Sequence, residues 1–261
     1  MNDHSQHVAP EAIQRLLGHD ATSTGALRSA GRPGLVVKTQ NGLVAVIKVR
    51  SRDDADARRE FEALSSARSL GVPVPRPLAF TDYGTSLLAM EWIEHRTLPV
   101  SSWTPDIGTR IGAALGRLHR ASEDLPSLPY RHPFEEYLSA YTTLERPTPE
   151  LMHNVELLVA TEPEPIAPRL VHGDFRPSNL IFRDGWEPII IDWEAARIGD
   201  PYIDLAAIVG SSRPPLPTDA RQTLIESYER AARYIVDPER LTWWSAFHRL
   251  SRRFQIHRLR V

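Results

Sequence analysis

Four polar residues constrain this chain more than anything else in it. His172, Asp174, Asn179 and Asp192 lie in the run HGDFRPSNLIF and the IIIDWE that follows it. Any fold that uses them together must bring an Asp and an Asn five positions apart to one place. It must also set a second Asp, thirteen positions further on, beside them. The surroundings suit that task, because residues 169–172, 179–183 and 187–192 read as short strands. The last two are joined by a turn at Asp184-Gly185, so the polar groups fall at or beside strand ends.

An aspartate, an asparagine and a second aspartate in that order match the needs of phosphoryl transfer from a nucleoside triphosphate. The reaction asks for a carboxylate near the acceptor hydroxyl, oxygen ligands for Mg²⁺ and cations against the phosphate charge, and leaves the protein little covalent work. In protein kinases the metal-binding Asn follows the catalytic Asp by five residues, the interval between Asp174 and Asn179. Upstream, LVAVIKV places Lys48 at the end of an apolar strand, as in the V-A-I-K element whose lysine grips phosphates and pairs with a helix glutamate. Glu60, in ARREFEAL, is the expected partner. Arg176, two residues after Asp174, is placed to lean on the transferred phosphate. Residues 91–93 leave a strand as a hinge, and the backbone from Glu91 to Ile93 is expected to contact adenine.

The rest of the chain divides at about residue 96. Before it, Ile13, Leu16 and Leu17 mark a short amphipathic helix, and residues 25–28, 35–39 and 43–49 read as strands. Asn41-Gly42 predicts a two-residue hairpin turn between the last two. A charged helix over 53–70 is stopped by Gly71 and the prolines after it, and strands follow at 77–80 and 86–92. Beyond residue 96 helical patterns dominate. Thr104-Pro105 opens a helix with the stripe Ile107, Ile111, Leu115 and Leu118, and further helices are expected near 133–145, 150–160, 201–210, 219–235 and 238–258. The expected fold class is therefore α+β: residues 1–96 an antiparallel sheet with one helix that binds nucleotide, residues 97–261 a larger, mainly helical lobe for catalysis and acceptor binding.

Charge and composition narrow the partners. Thirty-one Lys and Arg against 33 Asp and Glu give the 261 residues a net charge of −2, without the basic excess of a nucleic-acid binder. No apolar run approaches the roughly 20 residues that cross a bilayer, and the opening MNDHSQHVAP has no signal-peptide character. A cytoplasmic protein is expected, with neither membrane nor nucleic acid as partner. With no cysteine in the chain, a metal must be held by oxygen or imidazole.

Taken together, the segments VAVIKV, IGAALGRLHR (residues 111–120), LVHGDFRPSN and IIIDWEAARIGDPYIDLA resemble the aminoglycoside phosphotransferase and choline kinase-like family of small-molecule kinases. In that family the metal-binding segment reads I-D-W-E and is followed by G-D-P-x-x-D-L-A. The resemblance, over residues 20 to 210, implies the bilobal protein-kinase-like fold and a Mg²⁺-dependent kinase using ATP or GTP. It implies Asp174 as catalytic base or acceptor-orienting carboxylate, Asn179 and Asp192 as Mg²⁺ ligands, and Lys48 with Glu60 as the phosphate-gripping pair. Asp200 and Asp204 are expected to brace the catalytic loop, while Trp193 and Tyr202 pack. Where a phosphate-covering loop belongs, the chain has no G-x-G-x-x-G, and residues 23–25 are expected to serve.

The acceptor is the open end of this reading. Residues 121–165 hold nine acids against Arg131 and Arg146, a balance expected to steer a cationic alcohol, such as an aminoglycoside-type antibiotic, toward the cleft. The final twenty residues carry Arg249, Arg252, Arg253, Arg258 and Arg260 without an acid, and are expected to pack against that acidic segment around Trp243, Trp244 and Phe247. A metabolic alcohol such as choline, homoserine or a sugar is the alternative acceptor. A catalytically silent nucleotide-binding module is the alternative of another class.

Overall fold

The computed structural model describes residues 10–18, 21–29, 32–39, 42, 44–50, 56–81, 86–94, 98–120, 128–130, 132–144, 147–183, 187–210 and 212–258. The chain begins with helix α1 (Pro10–Leu17) and strands β1 (Ala21–Ser29), β2 (Arg32–Thr39) and β3 (Val44–Arg50). Helix α2 (Asp56–Ser69) then leads to β4 (Pro77–Thr81) and β5 (Ser86–Glu91). The five strands form one antiparallel sheet in the order β1-β2-β3-β5-β4.

The period-two alternation of β3 decides what lies on each face of this sheet. Ala45, Ile47 and Val49 are buried with Ile13 and Leu16 of α1, forming a small core on one side. Val46 and Lys48 therefore point to the other side, where α2 packs and the main core begins. The hairpin between β2 and β3 departs from expectation. Lys38 stands opposite Val44, one residue short of the Ala45 that a two-residue turn at Asn41-Gly42 would place there. Gly42 has φ +83° and its amide donates to the Thr39 carbonyl at 3.0 Å, which belongs to a longer turn closed by a left-handed residue. A one-residue slip would have turned Lys48 to the wrong face.

The expected boundary at residue 96 lies outside the described residues, as do the Asp184-Gly185 turn and the side chains of residues 23–25. The backbone of β1 shifts register between Ser23 and Gly25. Beyond the sheet run α3 (Pro105–His119), α4 (Pro133–Tyr141) and α5 (Pro149–Ala160), then β6 (Arg169–Val171), β7 (Leu180–Phe182), β8 (Pro188–Ile190) and β9 (Arg197–Gly199), and finally α6 (Tyr202–Val209), α7 (Thr218–Ala232) and α8 (Pro238–Arg258). The starts of α3 and α5 follow from local chemistry. Thr104 and Thr148 accept the amides of Ile107 and Leu151, with Pro at the first turn of each helix. The stripe Ile107, Ile111, Leu115 and Leu118 is buried as its spacing predicts. β7 pairs with β8 and β6 with β9; β9 was not foreseen. Among the described residues no helix is long and apolar enough to cross a membrane.

Candidate active site

Lys48 is the point at which the sheet meets the motif segment. Its Nζ lies 2.7 Å from Glu60 Oε1 on α2 and 2.9 Å from Asp192 Oδ1 after β8. Glu60 is almost fully buried, at 1% exposure, and the Lys48 ammonium faces its carboxylate. One ammonium between two carboxylates sums to −1, a field that favours a divalent cation and would repel a bare anion. Asp192 holds a left-handed backbone, φ 67° and ψ 61°, a conformation that Asp tolerates better than most residues.

The loop after β6 is fixed from below by one buried carboxylate. Asp204, in the first turn of α6, is fully buried and accepts the amides of His172 at 2.6 Å and Gly173 at 2.8 Å. His119 Nε2, at the end of α3, lies 3.1 Å from the same carboxylate, and its Nδ1 lies 3.0 Å from the Tyr228 hydroxyl, which in turn meets Tyr234. Burial raises the proton affinity of Asp204, but the bond from His119 and the surrounding charges outweigh it, so its carboxyl sits below the usual range. Gly173 has φ +80°, and a Cβ there would stand 2.3 Å from the Ala195 carbonyl. No other residue fits that bend.

Above this support the functional groups converge. His172 Nε2 donates to the Ile191 carbonyl at 2.9 Å, while its Nδ1 accepts the Asp174 amide at 3.2 Å, a pairing that requires the neutral ring. Asn179 Nδ2 donates to both the carbonyl and the carboxylate of Asp174, at 2.9 and 3.0 Å. The Asn179 carbonyl accepts the Ile191 amide at 3.0 Å. The loop of Asp174 is thus tied to the segment of Asp192 at two points. Burial raises the proton affinity of Asp174, and the counter-effects of Arg176, His172 and Asn179 do not cancel it. Arg176 forms a short ion pair with Asp174 and borders the cavity beside it.

The remaining expected residues fall into place unevenly. Glu91 ends β5, its amide donating to the Arg76 carbonyl at 2.9 Å and its carboxylate lying 3.4 Å from Arg183. Ile93 is buried against Ile181 and Ile189 of β7 and β8. The expectation that Asp200 braces the catalytic loop is corrected. Its carboxylate meets Arg240, the Trp244 indole at 3.1 Å and the Tyr202 amide at 2.8 Å, so it anchors α8 instead, and Asp204 alone of the pair holds the loop. Trp193 and Tyr202 are buried, as expected of packing residues. His119 was not singled out from the sequence, because one histidine in the last turn of an amphipathic helix carries no local signal.

Two cavities flank this region, and they differ in charge. One of about 430 Å³ opens beside Asp174, walled by Arg176, Arg197 and Arg252 with Tyr137 and Phe247. The other, about 260 Å³, lies against Trp243 and Trp244 and is bordered by Glu135, Glu162 and Glu164. Of the nine acids between residues 121 and 165, Glu136 is the one among the described residues that borders the cavity at Asp174. Trp243, Trp244 and Phe247 are buried as expected, and Arg252 borders the cavity at Asp174 together with Glu136 of the acidic segment. The side chains of Arg253, Arg258 and Arg260 lie outside the described residues.

Comparison with known proteins follows the same lines. The model of the phosphotransferase enzyme family matches residues 27–244. The human acyl-CoA dehydrogenase family member 11 is 27% identical over 77% of this chain and 29% of its own length. The mouse family member 10 is 28% identical over 57% of this chain and 16% of its own length. The chain thus spans less than a third of the curated relatives it matches. Among solved structures, the macrolide 2′-phosphotransferase of Brachybacterium faecium has a TM-score of 0.73 at 17% identity, covering 92% of this chain and 88% of that one. An aminoglycoside-3′-phosphotransferase of type VIII has a TM-score of 0.63 at 18% identity, with coverages of 92% and 97%. At these identities the likeness is one of fold.

Proposed function

This chain belongs to the phosphotransferase enzyme family, and from that premise we propose that it transfers the γ-phosphate of ATP, or of GTP, to a hydroxyl of a small molecule. The observation that carries the reading is the convergence of Lys48, Glu60 and Asp192 at one point, with Asn179 linking that point to Asp174. In this reading the sheet and α2 hold the nucleotide, with the hinge at residues 91–93 against adenine, and the helical part presents the acceptor. Lys48, kept in place by Glu60, meets the phosphates. Asp174 orients the acceptor hydroxyl and takes its proton, and Arg176 beside it opposes the charge on the transferred group.

A divalent cation fits the donor set. Asp192 and the side-chain oxygen of Asn179 are hard oxygen donors, and Mg²⁺ takes one or two such groups along with substrate phosphates. The net −1 around Lys48 supports the same assignment. When bound, the ion supplies neutralisation of phosphate charge. The finer expectation, a cationic antibiotic, draws on the acidic segment, and an aminoglycoside-3′-phosphotransferase is among the structural neighbours. That segment borders the smaller cavity, and the cavity at Asp174 has a different charge.

The test is acceptor-dependent release of ADP from Mg²⁺-ATP, with Asp174→Asn as the comparison. The expected result is turnover at least about 1,000-fold lower in the variant with ATP affinity unchanged, since removing a base costs about 10²–10⁴-fold and its orienting contact is lost as well. Retained turnover in Asp174→Asn would sink the role, and ATP bound without turnover of any alcohol would favour the silent module.

A further inference from the structure

The wall of the cavity beside Asp174 has an excess of guanidinium groups. Arg176, Arg197 and Arg252 face two carboxylates there, Asp174 and Glu136. Asp174 lies against Arg176 and Glu136 at 3.7 Å from Arg197, and the five charged groups of the wall sum to +1. His248, also in the wall, adds no charge, because burial holds its proton affinity down and outweighs the Ile203 carbonyl, 2.7 Å from its Nε2, which raises it. Arg252 feels further cations. Burial first, then Arg213, Arg176 and Arg249, lower its proton affinity. The positive excess is therefore not confined to the residues that touch the cavity. Tyr137, Ile203, Ala207 and Phe247 give the remaining wall apolar surface, beside the hydroxyl-bearing Ser251.

We infer that the acceptor is an alcohol bearing an anion, a carboxylate or a phosphate, on an apolar carbon skeleton, with Arg252 and Arg197 receiving the anion while Asp174 receives the hydroxyl. A planar guanidinium suits either anion through paired hydrogen bonds. A cationic amine in the same cavity would meet like charge and gain nothing from the apolar wall. Of the acids that argued for a cationic acceptor, Glu135, Glu162 and Glu164 stand around the other cavity, on Trp243 and Trp244, and Glu136 borders this one.

This inference rests on the kinase reading, and its test separates the two. Acceptor-dependent ADP release is measured with hydroxy carboxylates of graded chain length, with phosphorylated alcohols, with the neutral amides of the same hydroxy acids, and with choline and aminoglycosides. Mg²⁺-dependent ATP binding is titrated in the same preparation, with Asp192→Ala as its control. Turnover of an anionic alcohol with kcat/KM at least about tenfold above its neutral amide is expected, the scale of one charge-assisted hydrogen bond. The carboxylate and phosphate arms show which anion is held. Arg252→Gln should raise KM for that acceptor about tenfold while kcat and the KM for ATP stay within about twofold, and Arg252→Lys should recover part of the loss. Preference for the cationic alcohols, indifference to charge, or no turnover of any anionic alcohol overturns the inference while Mg²⁺-dependent ATP binding persists. Loss of that binding in the unmodified chain sinks the kinase reading instead.

Discussion

Asp174 combines a burial that holds its proton with neighbours that release it, and burial wins. A base acts as carboxylate, so activity falls as pH drops through its pKa. Because that pKa is raised, the acid limb of kcat/KM should lie above the ordinary carboxylate range near 4. Arg176 is the largest of the opposing influences, so Arg176→Met should move the limb to still higher pH as well as slow the reaction. A pH profile of kcat/KM for both forms checks this, and a limb that stays put or moves down would show that Asp174 is not the titrating group. The convergence of single residues was legible because the motif is nearly contiguous: one loop and one strand end carry Asp174, Arg176, Asn179 and Asp192. The pairing of Lys48 with Glu60 was legible because the downstream motif gives a strand-end lysine and a helix acid a common task. His119 and the Arg240 and Trp244 partners of Asp200 were not, since each contact joins residues 40 or more positions apart and no motif announces it.

At the scale of elements, the close approach of α3 and α7 shows why helices could be read and their packing could not. Proline and threonine at helix starts, together with a single apolar stripe, mark where α3 begins and which face it buries. Nothing local reveals what covers its other side, where Gly112, one of three glycines at four-residue spacing, lies against α7. A Cβ at Gly112 would stand 2.1 Å from the Leu224 carbonyl oxygen, so the two backbones must part to admit it. Alanine would return about 1 kcal/mol of helix propensity, but forcing backbone apart in a packed core costs about 1–3 kcal/mol and sometimes more. Gly112→Ala should therefore destabilise by about 2 kcal/mol, the cost lying toward the upper part of that range because the contact is with backbone. That is a fall in Tm of about 4–8 °C. Thermal unfolding followed by circular dichroism decides it, and an equal or higher Tm would mean that α7 can move away freely. The three-residue β9 escaped prediction for a related reason: its pairing with β6 is what makes it a strand.

Across the whole molecule, the cavity beside Asp174 was the least legible feature, because α4, the loop of Asp174, α6 and α8 contribute its walls from residues more than 100 positions apart. Charge summed along the sequence does not tell which cavity an acid borders, since chain neighbours such as Glu135 and Glu136 face different spaces. The side of the site at the sheet is simpler, and there the coupling runs through Lys48, which holds Glu60 on α2 and Asp192 beyond β8. A ligand that binds these groups in the folded chain only must stabilise the fold as a whole, by about 2.7 kcal/mol at a hundredfold excess over its Kd. For a chain of this size that corresponds to a rise in Tm of about 5–10 °C. Mg²⁺ with a non-hydrolysable ATP analogue should produce that rise, a chelator should remove most of it, and either component alone should give less. Asp192→Ala should lose the part that depends on Mg²⁺ while still responding to the analogue, because Lys48 and Glu60 remain. An Asp192→Ala chain that gains as much from Mg²⁺ as the unmodified one would place the ion elsewhere and take from Asp192 its role as a ligand.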